Sequence, residues 1–347
     1  METFAQSSET ASSGELFAPR IAVIGVGGAG TNTVHRISKL DIRGADLFAF
    51  NTDAKHLGMI NPSIKKLVLG ESITRGLGAG GFPEIGEKAG ELSRNEIEIM
   101  LKDINLAFLT AGMGGGTGTG ASPVIADIAK RNGAIVIGIV TMPFALERVR
   151  LNVAKAGIEK LRRNVDTLIV IDNQRLFTLY PNMQIEQAFM LADEITAKAV
   201  KGITEAITQP SLINLDFADV RTVMSAGGLA MISVGSASGH DRVDAVVEST
   251  LKNKLLDVDY TNAKGVLIFI LGGPDMTLGE ANEIGSKLTE RVSPDAYVTW
   301  GARIDNTYES KIEVMAIFAG VSGSSLLGKP SGSEREEGSD STKIDYI

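Results

Sequence analysis

Two glycine-rich stretches, GVGGAG at 25–30 and AGMGGGTGTG at 111–120, each follow an apolar run and precede a segment with helical periodicity. Glycine allows a tight turn and a close approach of the backbone, and the N-terminus of the helix that follows offers unpaired N–H groups to a phosphate. A dinucleotide has one pyrophosphate, which one loop can hold, whereas a nucleoside triphosphate with Mg²⁺ carries enough charge to occupy two loops. The second loop therefore favours a triphosphate.

Between residues 20 and 172, near-continuous apolar runs alternate with helix-periodic segments. The runs are RIAVIGV, ADLFAFN, KLVL, NLAFLTA, AIVIGIVT and DTLIVID. Strands this apolar are buried on both faces, as they are in a parallel sheet that is covered by helices on both sides. The alternation predicts an α/β, Rossmann-like domain with a doubly wound parallel sheet, over residues 20–182.

A long amphipathic segment follows at 183–210, with apolar residues at steps of three or four and Pro210 at its end. A helix of this length spans roughly 40 Å, about the diameter of a domain. We therefore predict a central helix that connects the first domain to a second one. Strand patterns and two helical patterns beyond it predict a smaller α+β domain over 211–321.

The two ends of the chain differ in composition from its middle. Residues 1–19 lack the basic and apolar regions of a secretory signal and are predicted to form a flexible arm. Residues 322–347 are rich in Ser, Gly and charge and are predicted to be a disordered tail, whose apolar and aromatic end at 344–347 is a possible partner-binding segment.

Charge and composition exclude several classes of function. The net charge of -8 argues against a nucleic-acid partner. The longest apolar runs are shorter than the roughly 20 residues of a membrane span, so direct membrane insertion is not expected. The chain has no cysteine, which removes disulfides, thiolate zinc sites and a cysteine nucleophile, and this fits a cytoplasmic protein.

The first loop taken alone leaves its ligand open. Gly25, Gly27 and Gly30 follow the G-x-G-x-x-G pattern, which favours an NAD(P) oxidoreductase, and Asn51 and Asp53 stand close to where such enzymes keep an acid for the ribose. Another nucleotide, or glycines with a purely structural role, are the alternatives. The P-loop pattern G-x-x-x-x-G-K-[ST] is absent. A third glycine-bearing stretch at 70–83 could close over a terminal phosphate or form a plain turn.

The order of three motifs makes the prediction specific. GGGTGTG at 114–120 resembles the signature loop of tubulin, and with GVGGAGTN before it and NLDFADVR at 214–221 after it the chain resembles the FtsZ family over about residues 20–320. This resemblance implies a self-assembling, filament-forming GTPase of cell division. It also implies head-to-tail homopolymers, a cytoplasmic location at the division site on the inner face of the membrane, and a membrane-anchoring adaptor bound through the tail. The rivals are a tubulin-like filament for cell shape or plasmid segregation, and the NAD(P) oxidoreductase.

The resemblance also assigns the nucleotide contacts for GTP or GDP. Its phosphate contacts are Gly28, Ala29, Gly30, Thr31 and Asn32 in the first loop and Gly115, Gly116, Thr117, Gly118, Thr119 and Gly120 in the second. Its sugar and base contacts are Pro143, Glu147, Arg150, Asn173, Phe189 and Asp193. A carboxylate such as Asp193 can accept from N1–H and the 2-amino group of guanine together. Members of this family usually have the pattern P-F-x-x-E-G-x-x-R, from which this chain departs. Arg148 replaces the glycine and Arg150 comes one position early, which predicts a loop one residue shorter.

The NLDFADVR motif carries the candidate catalytic residues Asn214, Asp216 and Asp219. From sequence alone the two aspartates are typical of caps at a helix N-terminus. The resemblance implies a second role, in which this loop enters the nucleotide pocket of the next subunit and completes a hydrolytic site. Mg²⁺ would be held mainly by phosphates and water, and no protein metal site is predicted.

Overall fold

The computed structural model of the protein describes residues 19–40, 42, 44–175, 181–209, 212–213, 215–252 and 258–321. Within the helix at 185–208, the side chains of residues 185, 186, 188, 189 and 192 are outside this description. The predicted tail and all but the last residue of the predicted arm also lie outside the described residues. Two groups of the predicted site, Asn214 and the side chain of Phe189, also lie outside the described residues.

The strands of the described ranges form one sheet in the order β3-β2-β1-β4-β5-β6-β7-β10-β8-β9. They are β1 (Ile21–Val26), β2 (Ala45–Asn51), β3 (Lys65–Val68), β4 (Leu106–Gly112), β5 (Ile135–Met142), β6 (Thr167–Asp172), β7 (Leu229–Ser238), β8 (Gly265–Gly272), β9 (Tyr297–Ile304) and β10 (Lys311–Val321). Strands β1 to β6 pair in parallel, whereas β10 pairs antiparallel with both β7 and β8. The predicted α/β fold with a mostly parallel sheet is confirmed.

The helices fall between the strands as the alternation predicts. They are α1 (Gly27–Ile37), α2 (Ala54–Met59), α3 (Glu71–Thr74), α4 (Pro83–Leu92), α5 (Arg94–Met100), α6 (Gly116–Arg131), α7 (Arg148–Arg162), α8 (Ile185–Thr208), α9 (Phe217–Met224), α10 (Arg242–Lys252) and α11 (Leu278–Thr289). Helices α4 and α5 follow each other directly and meet at Ser93. The Ser93 hydroxyl accepts a hydrogen bond from the Gly70 backbone N–H at 3.0 Å.

The sheet continues from its parallel part into its antiparallel part. Strands β6 and β7 pair in parallel through Leu168 with Leu229 and Ile169 with Ala230. Helix α8 lies on one face of the sheet, where Val200 and Ile203 belong to a core cluster with strand residues from both parts. The division into two domains at this helix stays a prediction.

Candidate functional site

A cavity of about 860 Å³ lies at the carboxyl edge of the parallel strands. Its lining residues are Val26, Gly28, Ala29, Asn32, Arg36, Gly112, Met113, Gly115, Gly116, Thr117, Gly118, Thr141, Met142, Pro143, Glu147, Arg150, Asn173 and Asp193. Ligands of doubly wound α/β proteins bind at this edge, where the loops that follow the strands converge. Both glycine loops contribute to the wall, so the two loops meet at one cavity, as the sequence predicts.

The first glycine loop is the first turn of α1, which begins directly after β1 at Gly27. Gly27 has a φ of 70°, which suits glycine, and a Cβ built there would lie 2.7 Å from the backbone nitrogen of Gly118. The two loops therefore touch each other here. By contrast, a Cβ built on Gly28 would meet no atom within 4 Å, so the open side of the loop faces the cavity.

The second glycine loop is held by hydroxyl groups. The Thr119 hydroxyl accepts from the Gly114 backbone N–H at 2.9 Å, and the hydroxyls of Thr117 and Thr52 are 2.6 Å apart. Helix α6 begins at Gly116, and its first-turn N–H groups point out of the helix end towards the cavity side. Such a helix end favours negative charge, so two helix N-termini can act on one phosphate chain.

The stretch at 70–83 packs beside the second loop. A Cβ built on Gly116 would lie 2.8 Å from Ala79 Cβ and 2.9 Å from the Phe82 backbone nitrogen. This contact fixes the position of the loop. Residues 70–83 themselves are not part of the cavity wall.

The far end of the cavity carries the carboxylate of Asp193 on α8. Its Oδ1 accepts a hydrogen bond from the Thr33 hydroxyl at 2.6 Å, and its Oδ2 lies 2.9 Å from Arg36 Nε. Burial raises the pKa of Asp193 above the usual aspartate value, while Thr33 and Arg36 oppose that shift. An ionised Asp193 still has lone pairs for further donors from a ligand.

Asn173, which directly follows β6, presents an unsatisfied polar atom to the same cavity. The residue is 7% exposed, and among the described residues its Oδ1 has no hydrogen-bond partner. A buried acceptor without a partner is costly, so a donor from a ligand is the expected complement. An amide oxygen and a carboxylate that line the same cavity fit the N–H donors of guanine.

The third part of the wall comes from the loop between β5 and α7. The Glu147 carboxylate accepts from the Phe144 backbone N–H at 3.1 Å and from Arg150 Nη1 at 2.6 Å. Pro143 lines the cavity next to them. Arg150 thus stands within the predicted nucleotide pocket despite the altered motif spacing.

Several predicted contacts are not part of the cavity wall: Gly30, Thr31, Asn51, Asp53, Thr119 and Gly120. Thr31 is fully buried and donates to the Gly27 carbonyl at 2.8 Å. Asp53 is the N-cap of α2 and accepts from the His56 backbone N–H at 3.0 Å. Thr31 therefore braces the first glycine loop, whereas Asp53 fixes the start of α2.

Asp216 and Asp219 lie at the opposite edge of the sheet. From Asp193 in the cavity wall, helix α8 runs about 22 Å to its end at Thr208, which lies beside Gly44, the residue before β2. Helix α9 is anchored at the same edge, because the hydroxyl of Thr167, the first residue of β6, donates to the Met224 carbonyl at 2.5 Å. The length of the strands therefore separates the aspartates from the cavity of their own chain.

The predicted capping role of the aspartates is confirmed for Asp216. It is the N-cap of α9, and its Oδ1 accepts from the Asp219 backbone N–H at 2.7 Å. Asp216 is exposed and Asp219 is half-buried. Both carboxylates lie on a surface that a second molecule can reach.

Sequence reasoning missed six residues of the wall: Val26, Arg36, Gly112, Met113, Thr141 and Met142. A signal for Arg36 was available, because it is four residues after Asn32 and therefore lies on the same face of α1. Met113 falls between the glycines of the second loop, but its position gives no chemical signal.

The doubly wound sheet with two glycine loops on one cavity defines a nucleotide-binding protein, and comparisons with known proteins specify its class. The GTPase domain of the Tubulin/FtsZ family matches residues 20–181, and the C-terminal domain of the FtsZ family matches residues 228–322. "Cell division protein FtsZ 2" of Methanocaldococcus jannaschii is 56% identical over 313 residues, which cover 89% of this chain and 82% of that protein. The protein of the same name from Haloferax volcanii is 50% identical over 93% of this chain and 80% of its own length.

Solved structures agree with the sequence comparison. The empty FtsZ dimer of M. jannaschii superimposes with a TM-score of 0.84 at 42% identity, over 93% of this chain and 96% of that one. A GTPγS-bound protofilament of CetZ2 from H. volcanii gives a TM-score of 0.77 at 22% identity, over 89% of this chain and 95% of that one, and so shares the fold.

The chain belongs to the FtsZ family. It is a filament-forming GTPase of cell division that binds guanine nucleotide and assembles with copies of itself. The comparisons do not favour the oxidoreductase or a filament for cell shape or plasmid segregation. Across the described ranges, no helix is long and apolar enough to cross a membrane.

Proposed function

We propose that GTP binds in the cavity at the carboxyl edge of one subunit and is hydrolysed with the help of Asp216 and Asp219 from the next subunit along a head-to-tail filament. The observation that carries this proposal is the separation of the two sets of groups. The cavity and the aspartates lie at opposite edges of one sheet, so the stacking of subunits brings the aspartates of one onto the cavity of the next.

Within the cavity, the phosphates lie on the two glycine loops and the base lies at the Asp193 end. The open faces of Gly28 and Gly115 allow close approach of a phosphate chain, since a Cβ on either would meet nothing within 4 Å. Asp193 accepts from N1–H and the 2-amino group of guanine, and the unsatisfied Asn173 oxygen takes a further donor. Pro143 and Glu147 from the loop after β5, with Arg150 from the first turn of α7, cover the sugar side.

Mg²⁺ fits this donor set as an ion held by phosphate oxygens and water. Among the described residues there is no group of three His, Asp or Glu side chains that could hold a metal. When bound, Mg²⁺ neutralises charge on the phosphate oxygens. The protein's own part is to hold the phosphates on helix N-termini and to orient the attacking water by the carboxylates of the neighbour.

A mixing experiment tests the shared site. Asp219→Ala keeps its own cavity, whereas Thr117→Arg places a bulky side chain in the phosphate approach and keeps its aspartates. Each variant alone is expected to be nearly inactive, because loss of a positioned catalytic group costs roughly a hundredfold or more. Mixed in equal amounts, the aspartate face of one variant caps the loaded cavity of the other, so part of the GTPase activity returns.

Two controls give the result its meaning. Both variants must show the circular dichroism and denaturation midpoint of the wild type, and the Asp219 variant must bind GTP. A mixture that is no more active than its components would place the catalytic groups in the same chain as the nucleotide or show that the interface needs GTP on both sides. A crosslink between position 216 of one chain and the 70–83 stretch of another separates these two outcomes.

We further propose that the end of the tail, at 344–347, binds an adaptor that attaches the filament to the inner face of the membrane. An apolar and aromatic end on a polar linker is typical of a segment that docks on a partner. Deletion of residues 340–347 is expected to leave GTPase activity and assembly intact and to abolish placement at the division site. Normal placement of the deletion variant would remove the adaptor proposal.

A further inference from the structure

A tyrosine contacts one of the two aspartates at the edge of the sheet opposite the cavity. The hydroxyl group of Tyr297 donates a hydrogen bond to Asp219 Oδ1 at 2.8 Å. Within the described part of the chain, Tyr297 is the side chain that donates to this carboxylate.

Strand β9 holds the segment that carries the aspartates from both ends. Tyr297 is its first residue, and its backbone N–H donates to the Lys264 carbonyl at 2.9 Å. Further along β9, Ala302 exchanges two backbone hydrogen bonds with Ile213, at 3.1 and 3.2 Å. Strand β9 therefore holds this segment at Ile213 and at Asp219.

Asp219 is thereby restrained at two points. Its backbone N–H is bound by the carboxylate of Asp216 at 2.7 Å, and its own carboxylate is bound by Tyr297. A hydrogen bond to a charged acceptor is stronger than one between neutral groups, so the tyrosine can select one orientation of the carboxylate. The same hydrogen bond is the largest cause of the raised pKa of Tyr297, which keeps the hydroxyl protonated and available as a donor.

We propose that Tyr297 is a positioning residue for GTP hydrolysis, which holds the Asp219 carboxylate so that its second oxygen faces the terminal phosphate in the cavity of the next subunit. This inference rests on the proposed function, in which Asp219 acts on the neighbour's nucleotide. Tyr297 is 44% exposed, so its hydroxyl could bond to water and does not need Asp219 as a partner to offset burial.

The test compares Tyr297→Phe with Tyr308→Phe. Both changes remove a tyrosine hydroxyl that faces a carboxylate, but Tyr308 faces Glu313 at 3.4 Å, away from the aspartates. For Tyr297→Phe we expect kcat at saturating filament to fall about tenfold, the effect of losing a hydrogen bond to a charged group. The GTP dissociation constant, the threshold concentration for assembly and the denaturation midpoint stay at wild-type values, and the control variant keeps the wild-type kcat.

A double variant shows whether Tyr297 acts through Asp219. In an Asp219→Ala background, Tyr297→Phe is expected to cause no further loss of kcat, because the group that it orients is absent. An equal further loss in that background would overturn the proposal, as would a raised assembly threshold with unchanged kcat in the filament, which would make Tyr297 an interface contact. If Asp219→Ala itself kept full activity, the proposed function would fail first; if only Tyr297→Phe kept full activity, this inference alone would fail.

Discussion

Arg36 Nε lies 2.9 Å from Asp193 Oδ2, so a helix that begins at one glycine loop also holds the carboxylate at the other end of the cavity. The Thr33 hydroxyl binds the second oxygen of the same carboxylate at 2.6 Å. Helix α1 therefore links the glycine-loop end of the cavity to the Asp193 end. Both oxygens of Asp193 are oriented before any nucleotide arrives.

Replacement of Asp193 by Asn should change which base the protein accepts. Guanine offers two donors to a carboxylate, whereas xanthine has a carbonyl in place of the 2-amino group, which matches the amide of Asn. We expect GTP affinity to fall about a hundredfold in Asp193→Asn and the preference to move towards XTP, because a mismatch leaves buried polar groups unpaired.

Equilibrium competition between GTP and XTP measures this preference. Asp46→Asn is the matched control, because Asp46 is paired with Arg20 and Lys65 away from the cavity. Unchanged discrimination in the Asp193 variant would mean that the base does not reach this carboxylate.

As the pH is lowered, guanine binding should begin to weaken at a higher pH than it would with an aspartate of ordinary pKa. Burial raises the pKa of Asp193, so this carboxylate takes up a proton at a higher pH than an ordinary aspartate does. The protonated group loses an acceptor, and GDP affinity falls as the pH drops through the raised pKa. For folding the sign is reversed: burial disfavours the charged form, so this group's contribution to the free energy of unfolding rises as pH falls through the same range.

A titration of GDP affinity against pH checks this prediction. The wild type should lose affinity on the acid side, and Asp193→Asn should show a flatter profile because its amide does not titrate. Equal pH profiles for the two proteins would assign the acid dependence to another group.

The shared site also predicts the kinetics of the enzyme. Specific GTPase activity should be close to zero below a threshold protein concentration and should rise once filaments form, because a single subunit lacks the neighbour's aspartates. Phosphate release measured over a dilution series, with light scattering in parallel, gives both thresholds. Activity that stays proportional to protein concentration at the lowest dilution would exclude a composite site.

Sequence patterns predicted the strands and the position of the glycine loops because those features are local. Each strand of the parallel part is a continuous apolar run, and each loop follows its strand directly. The contact between Thr33 and Asp193 joins positions 160 residues apart, so no local sequence pattern predicts it. The pairing of β6 with β7 depends on two residue pairs from distant segments, and so it too was beyond sequence reasoning.

Glycines of the second loop should separate into two classes on replacement by alanine. A Cβ at Gly120 would collide with the Pro83 carbonyl oxygen and would lie 2.6 Å from the Glu87 backbone nitrogen, so α4 and α6 would have to move apart. Overpacking of this kind typically costs about 1–3 kcal/mol. We expect the urea midpoint of Gly120→Ala to fall clearly below that of the wild type.

Gly115→Ala is the matched change in the same loop. A Cβ at Gly115 meets nothing within 4 Å, and its φ of -98° suits alanine, so the folded state accepts the methyl group. The open side of Gly115 faces the cavity, where the methyl group takes space needed by a phosphate. Its urea midpoint should therefore equal that of the wild type while its affinity for GTP falls. A Gly115 variant with lower stability and full affinity, or a Gly120 variant with unchanged stability, would contradict this division between glycines that pack and glycines that bind.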